Sequence, residues 1–102
     1  MKGKDRAELR AEAHHLQPMV HIGHQGLTES AREALNDALR THELVKVAVS
    51  RTLEGVKPKE FAGEMAESLG AEVIQAIGRK ITLYRHNPEL WVKARVLPPW
   101  KG

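Results

Sequence analysis

Cysteine is absent from this 102-residue chain, which removes disulfides, thiolate nucleophiles and cysteine metal sites at once. That absence fits a reducing compartment, and the cytoplasm is the expected location. No apolar run approaches the length needed to span a bilayer, so no membrane partner is expected. The opening "MKGKDRAELR" is charged from its second residue and lacks the apolar centre of a signal peptide. Aromatic residues are only 4% of the chain, so stacking on a base or docking through an aromatic anchor falls to Tyr84, Trp91 and Trp100. Paired carboxylates are missing too, and Ser30, Ser50 and Ser68 stand in no nucleophile motif. The chain is not expected to be an enzyme. Six histidines invite a metal reading, but His14 and His15 are adjacent and diverge by about a hundred degrees on a helix. His21 and His24 have no further ligand at a metal-binding spacing. No metal and no cofactor are expected.

What is present suits one small folded domain: 41% hydrophobic and 28% charged residues. The formal net charge is +3, and residues 71–102 hold six basic side chains against two acidic ones. Such an imbalance hints at a polyanionic partner. Apolar periodicity predicts helices over 4–16, 29–42 and from Pro58 to about Leu69. Strands are predicted over 19–22, 44–50, 72–77 and 81–85. Val45, Val47 and Val49 share one face of the second strand while Lys46 points the other way, towards water or a ligand. The short link of Gly78, Arg79 and Lys80 demands an antiparallel hairpin. A right-handed crossover through the second helix makes the first two strands parallel. The expected fold is therefore α/β (α+β), in the order α-β-α-β-α-β-β, with a four-stranded mixed sheet packed against helices. Residues 1–86 form the domain. Residues 87–102, with three prolines and no sustained period, are a tail expected to dock loosely or stay mobile, with Trp91 and Trp100 as possible protein-docking anchors.

The stretch "VHIGHQGLTES" carries the most chemistry. Gly23, His24, Gln25 and Gly26 lie between a strand and a helix capped by Thr28. Unpaired N–H groups and the helix dipole favour an anion at such a start. Glycine lets a phosphate approach without a Cβ in the way. KH-type domains clamp single-stranded nucleic acid with a Gly-x-x-Gly loop of this kind. A plain tight turn is the competing reading for any isolated Gly-x-x-Gly; the strand before and the helix after favour function here. Phosphoryl transfer through His24 is a rival, weakened by the lack of an arginine or a general acid in the loop.

"MVHIGHQGLTES", "LNDALRTHELVKVAV" and "AEVIQAIGRKITLYR" together resemble the CRM domain (chloroplast RNA splicing and ribosome maturation), in its bacterial stand-alone, YhbY-like form. The resemblance covers residues 4–86. It implies a fold similar to the C-terminal domain of translation initiation factor three. It also implies RNA binding, with large-subunit ribosomal RNA precursors as the partner, and the protein is expected to act as a monomer. By the same resemblance, Gly23, His24, Gln25 and Gly26 form the RNA-contacting loop, Lys46 is a basic strand position, and Gly78 and Arg85 belong to the last hairpin. Thr28, Arg79 and Lys80 complete the expected RNA-binding set. Where many relatives carry lysine or arginine at position 24, this chain has histidine, a side chain mostly neutral at pH 7 in water. Phosphate attraction then rests on main-chain N–H groups and on nearby basic residues. The acidic stretch "EFAGEMAE" is a solvated helix face that should lie away from any bound phosphate.

Overall fold

The computed structural model describes residues 3–51 and 57–87. Its elements run α1 (Gly3–Ala13), β1 (Val20–Ile22), α2 (Glu29–His42), β2 (Leu44–Val49), α3 (Pro58–Leu69), β3 (Glu72–Ile77) and β4 (Lys80–Tyr84). The strands form one sheet in the order β1-β2-β4-β3. β1 runs parallel to β2, with Val20 opposite Val47, and the remaining pairs are antiparallel. This is the mixed sheet expected from a helical crossover followed by a hairpin. Ile77 pairs with Lys80, so the hairpin turn is only Gly78 and Arg79. Gly78 has φ 57, the positive value a two-residue turn asks of its first central residue.

Strand alternation divides the core between the two faces of the sheet. Val45, Val47, Val49, Ile81 and Leu83 turn to one face and pack with Leu35 and Leu39 of α2 and Phe61, Met65 and Leu69 of α3. Leu44, Ile74 and Tyr84 turn to the other face, under Leu9 and Ala13 of α1. α2 spaces Leu35 and Leu39 one turn apart, and both are fully buried. α3 begins with Pro58 in its first turn and ends at Gly70, whose φ of 64 closes the helix.

α1 stops at Ala13, three residues before the expected end. Its last carbonyls find other partners: the Leu16 N–H donates to Ala13 O at 3.0 Å, and Lys46 Nζ donates to the same oxygen at 3.2 Å. A cation on terminal carbonyls stabilises the end of a helix. A single residue, Glu43, links α2 to β2, and it takes φ 63 to do so. Its buried carboxylate accepts the Asn87 N–H at 2.6 Å and lies 3.0 Å from His86 Nδ1, fastening the segment after β4 to the end of α2. The tail beyond residue 87, with Trp91 and Trp100, lies outside the described residues.

Candidate nucleic-acid interface

β1 is a three-residue edge strand anchored by Val20 and Ile22, which are buried against α2. The chain leaves it at Gly23 and reverses in a β-turn, with the Gly26 N–H donating to Gly23 O at 3.0 Å. His24 and Gln25 form the exposed tip of that turn. The two glycines do different work. Gly26 takes φ 76, a conformation open mainly to glycine. Gly23 has no such requirement, and a Cβ built on it would meet nothing within 4 Å. Its contribution is open space outside the turn.

Two of the loop's donors are held internally. The Gly26 N–H closes the turn, and the Thr28 N–H donates to Gly26 O at 3.0 Å. Thr28 Oγ1 in turn accepts the Ala31 N–H at 3.1 Å, capping α2. Among the described residues, no main-chain carbonyl takes the N–H groups of His24, Gln25 or Leu27. The first-turn N–H groups of Glu29 and Ser30 have no helical acceptor either, because both precede the first α-helical bond, from Arg32 N to Thr28 O. Of these, His24, Gln25 and Ser30 line an open groove of about 460 Å³ between β1, the 23–26 loop and the first turns of α2. Among the described residues, no lysine, arginine or carboxylate lines it, and the exposed Glu29 side chain stands outside it. Attraction for an anion inside the groove therefore comes from N–H dipoles and the positive end of α2.

Cations stand beside the groove. Because β1 and β2 are parallel, their C-terminal ends coincide, and the Ser50 N–H donates to Ile22 O at 2.8 Å. The β3–β4 turn meets them there: the Val49 N–H donates to Arg79 O, and Arg79 Nη1 donates to Ser50 O, both at 2.8 Å. Lys80, exposed, pairs with Ala48. Loop 23–26, Thr28, Arg79 and Lys80 thus share one end of the sheet, with the loop and the turn about 10 Å apart across two strand spacings. Arg51, exposed and next to Ser50, joins them. Sequence reasoning missed it, although its place just past a strand parallel to β1 was the available signal. His21, Met19 and Ser30, which line the groove, were missed as well. The acidic surface of α3 does not keep wholly clear of this end. Glu60 lines a cavity of about 650 Å³ beside Arg79, together with Lys57 and Lys59.

Lys46 and Arg85 lie elsewhere. Lys46 is half-buried beneath the end of α1, donating to Ala13 O. Arg85 is at the opposite end of the sheet, where Nη1 donates to Asn36 Oδ1 at 2.8 Å and Leu69 O at 3.0 Å, and Nη2 donates to Asn36 O at 3.0 Å. That guanidinium joins α2 to the end of α3. Among the described residues, no group of three or more histidine, aspartate or glutamate side chains could hold a metal ion.

Comparison with known proteins gives this geometry a family. The CRS1/YhbY (CRM) domain matches residues 1–85. The chain belongs to that family. Among relatives of this CRM protein, the "probable RNA-binding protein YqeI" of Bacillus subtilis is 32% identical over 89 residues, covering 87% of this chain and 92% of the relative. An "RNA-binding protein" of Haemophilus influenzae is 37% identical over 86 residues, covering 84% and 86% respectively. The solution structure of the hypothetical protein SAV1595 from Staphylococcus aureus superposes with a TM-score of 0.72 at 34% identity, covering 85% of this chain and 90% of that one. The α+β fold of three helices and a mixed four-stranded sheet is thus shared with a solved relative.

Proposed function

We propose that this CRM protein is a non-catalytic RNA-binding protein that holds backbone phosphates at its 23–26 loop and serves assembly of the large ribosomal subunit. The observation carrying the reading is the set of main-chain N–H groups of His24, Gln25, Leu27, Glu29 and Ser30, without main-chain acceptors among the described residues, beside an open groove at the start of α2. A phosphate seated there accepts N–H bonds at the positive end of a 14-residue helix. Gly23 leaves the approach clear. Arg51, Arg79 and Lys80 flank the groove and extend the attraction along the nucleic-acid backbone. Lys46 and Arg85 take no part in this track, because they lie away from the loop, Lys46 beneath the end of α1 and Arg85 at the opposite end of the sheet. The names of the Bacillus and Haemophilus relatives support RNA as the ligand.

The test is titration of structured ribosomal RNA against wild type and Gly23→Asp across a salt series. Gly23 is the position to change, since its backbone and surroundings admit a side chain whereas a side chain at Gly26, with φ 76, would strain the backbone. The expected result is an affinity loss of roughly tenfold or more in a variant that unfolds with wild-type stability. Equal affinity of the two proteins rejects the loop's role. Crosslinking in cells, with sequencing of the attached RNA, tests the ribosomal assignment. Large-subunit precursor RNA should be enriched, and its absence from the crosslinked pool contradicts the assignment.

A further inference from the structure

α1 covers only part of its face of the sheet. Eleven residues long, it sits over Leu44, Ile74 and Tyr84, the end remote from the 23–26 loop. Strand alternation puts His21, Lys46, Ala48, Gln75, Ile77, Lys80 and Thr82 on the same face; Thr82 is buried and Lys46 half-buried under the end of the helix, while His21, Ile77 and Lys80 lie exposed beyond it. The register aligns four of them in a row across all four strands: His21 beside Ala48, Ala48 beside Lys80, Lys80 beside Ile77. That row is about 14 Å long, three strand spacings. A cavity of about 120 Å³ opens between it and the end of α1, lined by His14, Lys46, Gln75, Ile77, Lys80 and Thr82 among others, with no carboxylate among the described residues.

The chemistry of this face is uniform. Lys80 is exposed, and Lys46, with three ammonium protons, keeps one donor beyond its bonds to Ala13 O at 3.2 Å and Leu16 O at 3.5 Å. His14 and His21 are exposed imidazoles. Ile77 is 60% exposed, the most exposed large apolar side chain among the described residues. A protein-docking face would present a cluster of aromatic or aliphatic anchors. This one presents cations and polar groups around two separate exposed aliphatic side chains, Ile77 and, at the start of the far edge strand, Met19, too sparse for an anchor cluster, which complements a sugar–phosphate strand carrying flat bases. It is also continuous with the loop site, because His21 belongs to the row and lines the groove at the 23–26 loop.

We infer that the open half of the α1 face is a second contact surface for single-stranded RNA, over which a strand held at the 23–26 loop continues. Phosphates pass near His21, Lys80 and Lys46, and a base or ribose rests on Ile77. The inference rests on the RNA-binding reading of the loop, and the test separates the two. The full chain is titrated with an oligouridine of about four nucleotides, the length a Gly-x-x-Gly loop clamps in KH modules, and with one of about ten. Wild type should bind the longer oligomer at least tenfold more tightly, with a steeper salt dependence, by roughly 0.7 in slope for each further phosphate neutralised. Ile77→Glu and His14→Glu, both at exposed positions, should each weaken the longer complex about three- to tenfold and leave the shorter one unchanged. In wild type, the Gln75 and Ile77 main-chain amide resonances should shift with the longer oligomer alone, a readout independent of either variant. If the longer oligomer binds no more tightly, or both variants and the amide shifts are insensitive to it while Gly23→Asp still weakens binding, the inference is overturned and the loop reading stands. If wild type binds neither oligomer, both are overturned.

Discussion

At the scale of single residues, the two loop glycines answer to different physics and should respond differently to the same change. Gly26→Ala puts a Cβ at φ 76 and should cost about 1–2 kcal/mol of stability in urea unfolding. Gly23→Ala meets no neighbour and should stay within about 0.5 kcal/mol of wild type. From the sequence the pair looks equivalent, because a glycine's φ and the space around it depend on how the turn closes. The same is true of the basic residues. Lys46 and Arg85 stand in the sequence as cations of the right kind, and only packing shows that both bond to helix-end carbonyls. Lys46→Met should therefore lower stability by roughly 1–2 kcal/mol while leaving affinity for a short, loop-bound RNA within about twofold. A large loss of that affinity in a stable Lys46→Met protein would return Lys46 to the loop's own phosphate site.

At the scale of elements, α2 matters most, since its first turn supplies donors and its cap fixes the loop. Thr28→Ala removes the bond to the Ala31 N–H and should cost about 1 kcal/mol by thermal or urea unfolding. RNA binding should weaken as well, because the loop and the helix start are joined through the Thr28 N–H. The capping threonine, the Leu35–Leu39 stripe and the valine alternation of β2 were all legible in the sequence, being local patterns with a fixed period. The end of α1 was not. Its last turn is replaced by the Lys46 bond, a contact between residues 33 apart. Glu43 was hidden for a related reason: a non-glycine at φ 63 is unexpected until the one-residue α2–β2 link and its buried carboxylate partners are seen.

At the scale of the whole molecule, the sheet sorts charge by end. Parallel pairing of β1 with β2 brings the loop, Arg51 and the Gly78–Arg79 turn together, while β4 carries Arg85, His86 and Asn87 to the opposite end beside Glu43. The strand order β1-β2-β4-β3 decides this; the sequence supports the β1–β2 and β3–β4 pairings but not the antiparallel β2–β4 pairing that joins them. Replacing Arg51 or Lys80 with glutamine should flatten the logarithmic salt dependence of single-stranded RNA affinity by roughly 0.7 for each phosphate left without its cation. The most direct measurement of the central claim is amide chemical-shift mapping of the ¹⁵N-labelled chain as single-stranded RNA is added. The account predicts the largest shifts at the His24, Gln25, Leu27, Glu29 and Ser30 main-chain amides, with Arg85 and Asn87 unmoved. Largest shifts at the Arg85 end, with the loop amides unchanged, would contradict it.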